Sequence, residues 1–202
     1  MSTLKLFVNS DTPAIFDASP LINLAGTRMA QEMLQLMPHP LLVPKEVEAD
    51  LQRGTAKGHT QAHLFDELRA VGLVRIVEMG DVGRAIFETL VTGAAQDTLD
   101  DGEAATIACA IEYNGIAIID EAKALRICLS SFPLLEVAST CQLLLHEHVE
   151  QSLGNEAVCD GLYNALQHSR MRVPTIYQSQ VVHLLGPERA SLCNSLPRAV
   201  RV

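Results

Sequence analysis

Two short, wholly apolar runs, Ala14-Ile15-Phe16 and Ile116-Ala117-Ile118-Ile119, each end on an aspartate, Asp17 and Asp120, and each gives way to a helical pattern. Nothing else in the chain constrains its fold as tightly. A run without polar alternation reads as a strand covered on both faces, and such strands belong to parallel sheets whose crossovers are helices. If both lie in one parallel sheet, both carboxylates emerge at its carboxyl edge, where open α/β sheets gather ligands and metals. Ser19 reads as a helix N-cap, with Pro20 at the first helical position. Each aspartate could equally do no more than cap the next helix, so the pair is more telling than either member.

The remaining chain repeats the alternation. Residues 1–13 are a lead-in that either adds an edge strand or stays mobile. A helix is expected over 20–37, stopped by Pro38 and Pro40, followed by a strand at Leu41-Leu42-Val43. Pro44 opens an acidic helix that breaks at Gly54. Residues 59–71 carry Ala62, Phe65, Leu68 and Val71 at helical spacing. A strand at 73–77, helices at 82–94 and 102–113, and the strand ending at Asp120 follow, with Gly115 closing the second of those helices. A helix at 121–130, a short strand near 134–137 and helices at 139–151, 155–169 and 174–185 complete the pattern. The reading is one α/β domain over residues 1–202, with a central, mainly parallel sheet and helices on both faces.

With 202 residues, 48% of them hydrophobic, the chain can bury one sizeable core. No apolar run approaches the roughly 18–20 residues of a membrane span, and Lys5 interrupts an opening too short for a signal peptide, so the expected location is the cytoplasm. Five scattered cysteines without a Cys-x-x-Cys pair read as buried thiols in a reducing compartment. A net charge of −9 argues against nucleic-acid binding by bulk electrostatics, though not against an enzyme whose acids hold cations beside a phosphate. The C-terminal arginines, Arg170, Arg172, Arg189, Arg198 and Arg201, either offer a modest phosphate-binding surface or decorate a solvated tail.

Further carboxylates stand where helices begin. In Leu99-Asp100-Asp101-Gly102-Glu103-Ala104, Glu103 occupies the first turn of a helix whose small side chains allow close packing on a sheet. The Asp100/Glu103 spacing is also that of a capping box. In Val43-Pro44-Lys45-Glu46-Val47-Glu48-Ala49-Asp50-Leu51, Glu46 and Asp50 share one helix face, which could be a solvated one. Oxygen-only ligands select Mg²⁺ or Mn²⁺, and such an ion beside a phosphodiester activates a water and stabilises an in-line displacement.

Taken in order, Asp17-Ala18-Ser19-Pro20-Leu21-Ile22, Val43-Pro44 with Val47 and Asp50-Leu51, Leu99 to Ala104, and Ile118-Ile119-Asp120 resemble the motifs of the PIN-domain nucleases, in their VapC-like bacterial and archaeal branch. The resemblance runs from about residue 14 to 186 and includes Met171-Arg172-Val173-Pro174 and Leu184-Leu185-Gly186. It implies a three-layer α/β/α domain and an Mg²⁺- or Mn²⁺-dependent ribonuclease acting on RNA. Carried over by position, Asp17, Asp50, Glu103 and Asp120 form the acidic quartet, with Asp17, Glu103 and Asp120 on the main ion. Asp50 serves a second ion or the attacking water. Ser19 supports Asp17, and Glu121 stands where the branch often has a second aspartate. Lys123 and Arg126 approximate its following basic pattern and are expected to meet the RNA backbone. A toxin role with an antitoxin partner, and a homodimer, belong to the same resemblance.

Rival motifs are incomplete. His59 and His63 share zinc-peptidase spacing, but Thr60 replaces the general base. His146 and His148 point to different faces of an expected surface helix. A haloacid-dehalogenase site needs an aspartate where Ser19 stands, and an adhesion module of the von Willebrand type needs a serine where Leu21 stands. The alternative that shares the fold is a PIN-like module that binds protein or RNA without cleaving it.

Overall fold

The computed structural model describes residues 11–56 and 62–201. The lead-in before Asp11 and His59, with the expected start of its helix, lie outside the described residues. The chain forms two compact units, Met1–Leu21 with Met37–Ser139, and Ile22–Leu36 with Thr140–Val202.

The first unit is built on five strands, β1 (Ala14–Phe16), β2 (Leu41–Pro44), β3 (Val74–Val77), β4 (Ile116–Ile118) and β5 (Glu136–Ala138). They pair in the order β3-β2-β1-β4-β5, all parallel. The three inner strands are buried along their whole length, as their unbroken apolar runs require. The edge strands carry Arg75 and Glu136, charges that suit an unpaired rim. Helices α3 (Lys45–Ala56) and α4 (Ala62–Ala70) join β2 to β3. Helices α5 (Asp81–Val91) and α6 (Asp101–Glu112) carry the chain back across the sheet to β4, and α7 (Ala122–Ser131) leads to β5. Helix α3 packs on β2, β3 and α6, and α4 on β3 and α3, so that helices flank the sheet in a three-layer α/β/α arrangement. Helices α5 to α7 pack on one face of the sheet, where Ile15, Leu42 and Ala117 meet Leu90, Ile107, Ala124 and Ile127.

Helix α6 is the centre of this layer. Every residue from Gly102 to Ala110 is buried, because small side chains let its backbone approach the strands and its neighbouring helices at once. Strand order reverses at β1, since β2 and β3 extend to one side and β4 and β5 to the other. The carboxyl ends of β1 and β4 therefore flank a topological switch point.

The second unit is helical. After α1 (Ala18–Thr27), which starts in the first unit, it contains α2 (Ala30–Gln35), α8 (Thr140–Leu144), α9 (Glu147–Leu153), α10 (Asn155–Asn164) and α11 (Thr175–Leu192), with a π-turn at Ala165–Ser169 and a 3₁₀ turn at Arg198–Val200. Ser169 Oγ donates to the Ile22 carbonyl at 2.9 Å. Arg189 binds Asp160 at 2.5 Å and lies 5.3 Å from the Tyr163 ring centre, tying α11 to α10.

Several expected boundaries shift for local reasons. The helix expected over 20–37 starts at Ala18 and breaks after Thr27, whose hydroxyl takes the Leu24 carbonyl and receives the Met29 N–H, while Arg28 turns left-handed at φ 65°. Helix α3 runs through Gly54 to Ala56 instead of breaking there. The segment at 139–151 splits into α8 and α9, because a ring nitrogen of His146 accepts the His148 N–H and caps a new helix. His146 and His148 are both half-buried at this helix start. Helix α11 extends past 185 by kinking at Gly186 (φ 74°, ψ 163°), with Pro187 restarting it. All five cysteines are free thiols, four of them buried. No helix among the described residues is long and apolar enough to cross a membrane.

Candidate active site

Four chain segments bring acids to the carboxyl edge of the sheet. Asp17 directly follows β1, its N–H bonded to the Ile118 carbonyl of β4 at 3.1 Å, and it is only 5% exposed. Ser19 does not cap the helix, as its position suggested. Its Oγ donates to Asp17 Oδ2 at 2.8 Å and its N–H approaches the same oxygen at 3.4 Å, so the aspartate is the acceptor at the start of α1.

Asp100 is the N-cap of α6, its Oδ1 accepting the Glu103 N–H at 2.9 Å. Glu103 is 8% exposed, and its carboxyl accepts a hydrogen bond from the Asp100 backbone, which completes a capping box. Capping and burial thus coexist in one side chain. Asp50, on the second turn of α3, forms an ion pair through Oδ1 with Arg53 one turn further on. Asp120 and the half-buried Glu121 follow β4. Register places them at the same edge as Asp17, because Phe16 pairs with Ile118.

Asp17, Asp50 and Asp100 meet at Gly102. A Cβ there would lie 2.6 Å from Asp50 Oδ2, 3.4 Å from Asp17 Oδ1 and 3.7 Å from Asp100 Oδ1. Asp17 and Asp50 share one design. One oxygen of each is tied outward, to Ser19 or to Arg53, and the other faces the shared point. The sequence reading did not single out Gly102, and it took Asp100 only as a cap. The four-residue spread from Asp100 to Glu103 was visible, but not which oxygens would converge.

The electrostatics follow from this crowding. Burial, with the nearby Asp100 charge adding to it, lifts the Asp17 carboxyl to about 6 against the pull of Ser19. Burial together with Asp100, Asp17 and Glu121 lifts Glu103 to about 7. Asp50 is also raised, chiefly by burial, with Arg53 opposing. Lys123 and Arg126 lie on α7 just beyond these acids. Lys123 Nζ donates to the Ala95 carbonyl at 2.6 Å and to that of Thr98, and Arg126 donates to the Gln96 carbonyl at 3.1 Å.

The donor set suits a hard divalent cation, since it is carboxylate oxygen without histidine or thiolate, buried, and carrying mutually repelling charge. Among the described residues, no three acidic, histidine or cysteine side chains close into a finished cage. By donor chemistry these acids suit such an ion, and three of them, Asp17, Asp50 and Asp100, converge on one point.

A parallel sheet with oxygen-only acids at its switch point defines a class of α/β protein suited to hard cations. The particular family follows from the sequence: a family model described as DUF3368, a PIN domain, matches residues 13–187, and the chain belongs to this PIN-domain family. PIN domains are nucleases, so the chain is placed among hydrolases that generally use divalent metal ions. A crystal structure of VapBC2 from Rickettsia felis, bound to a DNA fragment from their promoter, is similar at 16% identity and a TM-score of 0.49, covering 63% of this chain and 98% of that one. No curated protein matches the chain.

Proposed function

We propose that this chain is an Mg²⁺- or Mn²⁺-dependent endoribonuclease whose site is the acidic edge around Gly102. The observation that carries the reading is the split use of the Asp17 and Asp50 carboxylates, one oxygen anchored and one facing a point also reached by Asp100. Asp17, Glu103 and Asp120 would hold the main ion, and Asp50 a second ion or the attacking water. When bound, the ion supplies a water activated for attack and charge stabilisation at the phosphodiester. Ser19 fixes the Asp17 carboxylate so that Oδ1 keeps its direction. Glu121 adds negative charge against Glu103 and strengthens the demand for a cation there. The toxin role, its antitoxin partner and a homodimer are proposed on the motif resemblance alone.

The test is cleavage of single-stranded RNA with Mn²⁺ or Mg²⁺ by the full chain and by Asp17→Asn. Cleavage by the first and its loss in the second is expected. Equal cleavage by both would remove the site assignment. Saturable RNA binding indifferent to EDTA, without cleavage, would favour the module that binds and does not cut.

A further inference from the structure

We propose that Lys123 is a positioning residue, which staples the segment carrying Asp100 and Glu103 to the helix that follows Asp120, and is not a ligand of the RNA backbone. The inference rests on the reading of the acidic edge as a metal site and deepens it.

The segment between α5 and α6 is exposed from Thr92 to Gln96 and at Asp97, yet it ends in the acids of the site. It is folded by a turn, with Asp97 and Thr98 N–H groups on the Ala94 carbonyl at 2.8 and 3.1 Å, and Leu99 N–H on the Leu90 carbonyl at 2.8 Å. Asp100 then opens α6. Lys123 sits in the first turn of α7, three residues beyond Asp120, and spends two of its three N–H donors on the carbonyls of Ala95 and Thr98. Arg126 lies one turn along on the same face of α7 and takes the intervening Gln96 carbonyl. Three successive anchor points therefore fasten one exposed segment to one helix. A cation committed to backbone carbonyls in this way has little left for phosphate oxygens.

The segment needs a staple because residues 92–97 are exposed and bury little that would hold them in place. Packing at Leu99 secures only its last residue. Lys123 and Arg126 hold the exposed part, and with it the Asp100 cap at the start of α6.

The experiment compares the full chain with Lys123→Met and Lys123→Arg by four readouts. Amide hydrogen exchange over residues 94–103 is followed without metal, and Mn²⁺ affinity by calorimetry. RNA cleavage is resolved into kcat and KM, and the salt dependence of RNA affinity is measured in an Asp17→Asn background. Lys123→Met is expected to speed exchange in the segment, to weaken Mn²⁺ by about tenfold, as loss of an outer-shell support does, and to lower kcat more than KM. Lys123→Arg restores most of each, and the salt slope stays unchanged. A slope reduced by about one, with exchange unaltered, is the signature of a phosphate contact and would overturn the proposal. Unaltered exchange with Mn²⁺ affinity and kcat within twofold would do the same. If Lys123→Met does not fold, Arg126→Met, which removes the third anchor, is expected to shift the same readouts by two- to threefold, and no shift counts against the staple. A wild-type chain that binds no Mn²⁺ and cuts no RNA defeats the nuclease reading, whereas the exchange result tests the staple independently.

Discussion

Two regions of the first unit handle negative charge in opposite ways. Around β3 the acids are neutralised singly: Glu78 is paired with the exposed Lys45 at 2.8 Å, and the half-buried Glu48 with the exposed Arg69 at 2.7 Å. At the carboxyl ends of β1 and β4, Asp17 and Glu103 are buried against other acids, and both are pushed up by that company. Surface pairs of the first kind contribute little stability and relieve local repulsion. The second arrangement stores repulsion, which a divalent ion would relieve. Asp50 stands between the two, half-exposed and paired with Arg53, yet with one oxygen facing Gly102.

The largest expected effect breaks that contrast directly. Glu103→Gln, like Asp17→Asn, should lower metal-dependent RNA cleavage by about 10²-fold or more, if these carboxylates act as the proposal holds. Glu78→Gln, which removes a paired acid, should leave cleavage within about twofold; a steady-state assay on all three variants decides it.

Next comes pH. Asp17 titrates near 6 and Glu103 near 7 in the folded protein, above their ordinary 3.8 and 4.5. The folded state therefore holds these protons to higher pH than the unfolded state does, and folding stability falls as pH rises from about 4 to about 7. For Asp17 alone the loss is on the order of 3 kcal/mol, taken at 1.36 kcal/mol per unit. Thermal or urea denaturation in EDTA should show the decline, Mn²⁺ should reverse it, and Asp17→Asn should flatten much of it. A profile that is flat from pH 4 to 8 in wild type would show that the acids are not crowded as described.

A smaller effect sharpens the comparison at Gly102. Alanine there places a Cβ 2.6 Å from Asp50 Oδ2, so the carboxylate must swing away. Mn²⁺ affinity should fall by about tenfold with a modest stability loss of about 1 kcal/mol, read by calorimetry and denaturation. The smallest is Arg53→Ala. Freeing the second Asp50 oxygen should raise Mn²⁺ affinity by about two- to threefold while leaving the fold unchanged.

The sequence made the sheet legible because its inner strands need apolar side chains on both faces, and Ala14-Ile15-Phe16 and Ile116-Ala117-Ile118 carry nothing else. Asp17 and Asp120 were legible as the residues where those runs stop. Glu103 was legible as a first-turn acid, and its capping and burial turned out to be compatible. Less could be read where the outcome depends on residues far apart in the chain. Gly102 matters because α3 delivers Asp50 to it, and that approach is set by packing of α3 on α6. Lys123 carried a basic charge near a predicted site, so phosphate was the natural partner, while its carbonyl partners belong to a loop with no motif of its own. The break at Arg28 rests on a threonine hydroxyl competing for backbone groups, a local choice that helical periodicity does not reveal.

The central claim is that the acids around Gly102 form a cation site, and calorimetric titration of Mn²⁺ into the full chain at neutral pH tests it most directly. Saturable binding in wild type, strongly weakened in both Asp17→Asn and Glu103→Gln and unchanged in Glu78→Gln, is the predicted result. Equal Mn²⁺ binding by all four proteins, or none by wild type, would contradict it.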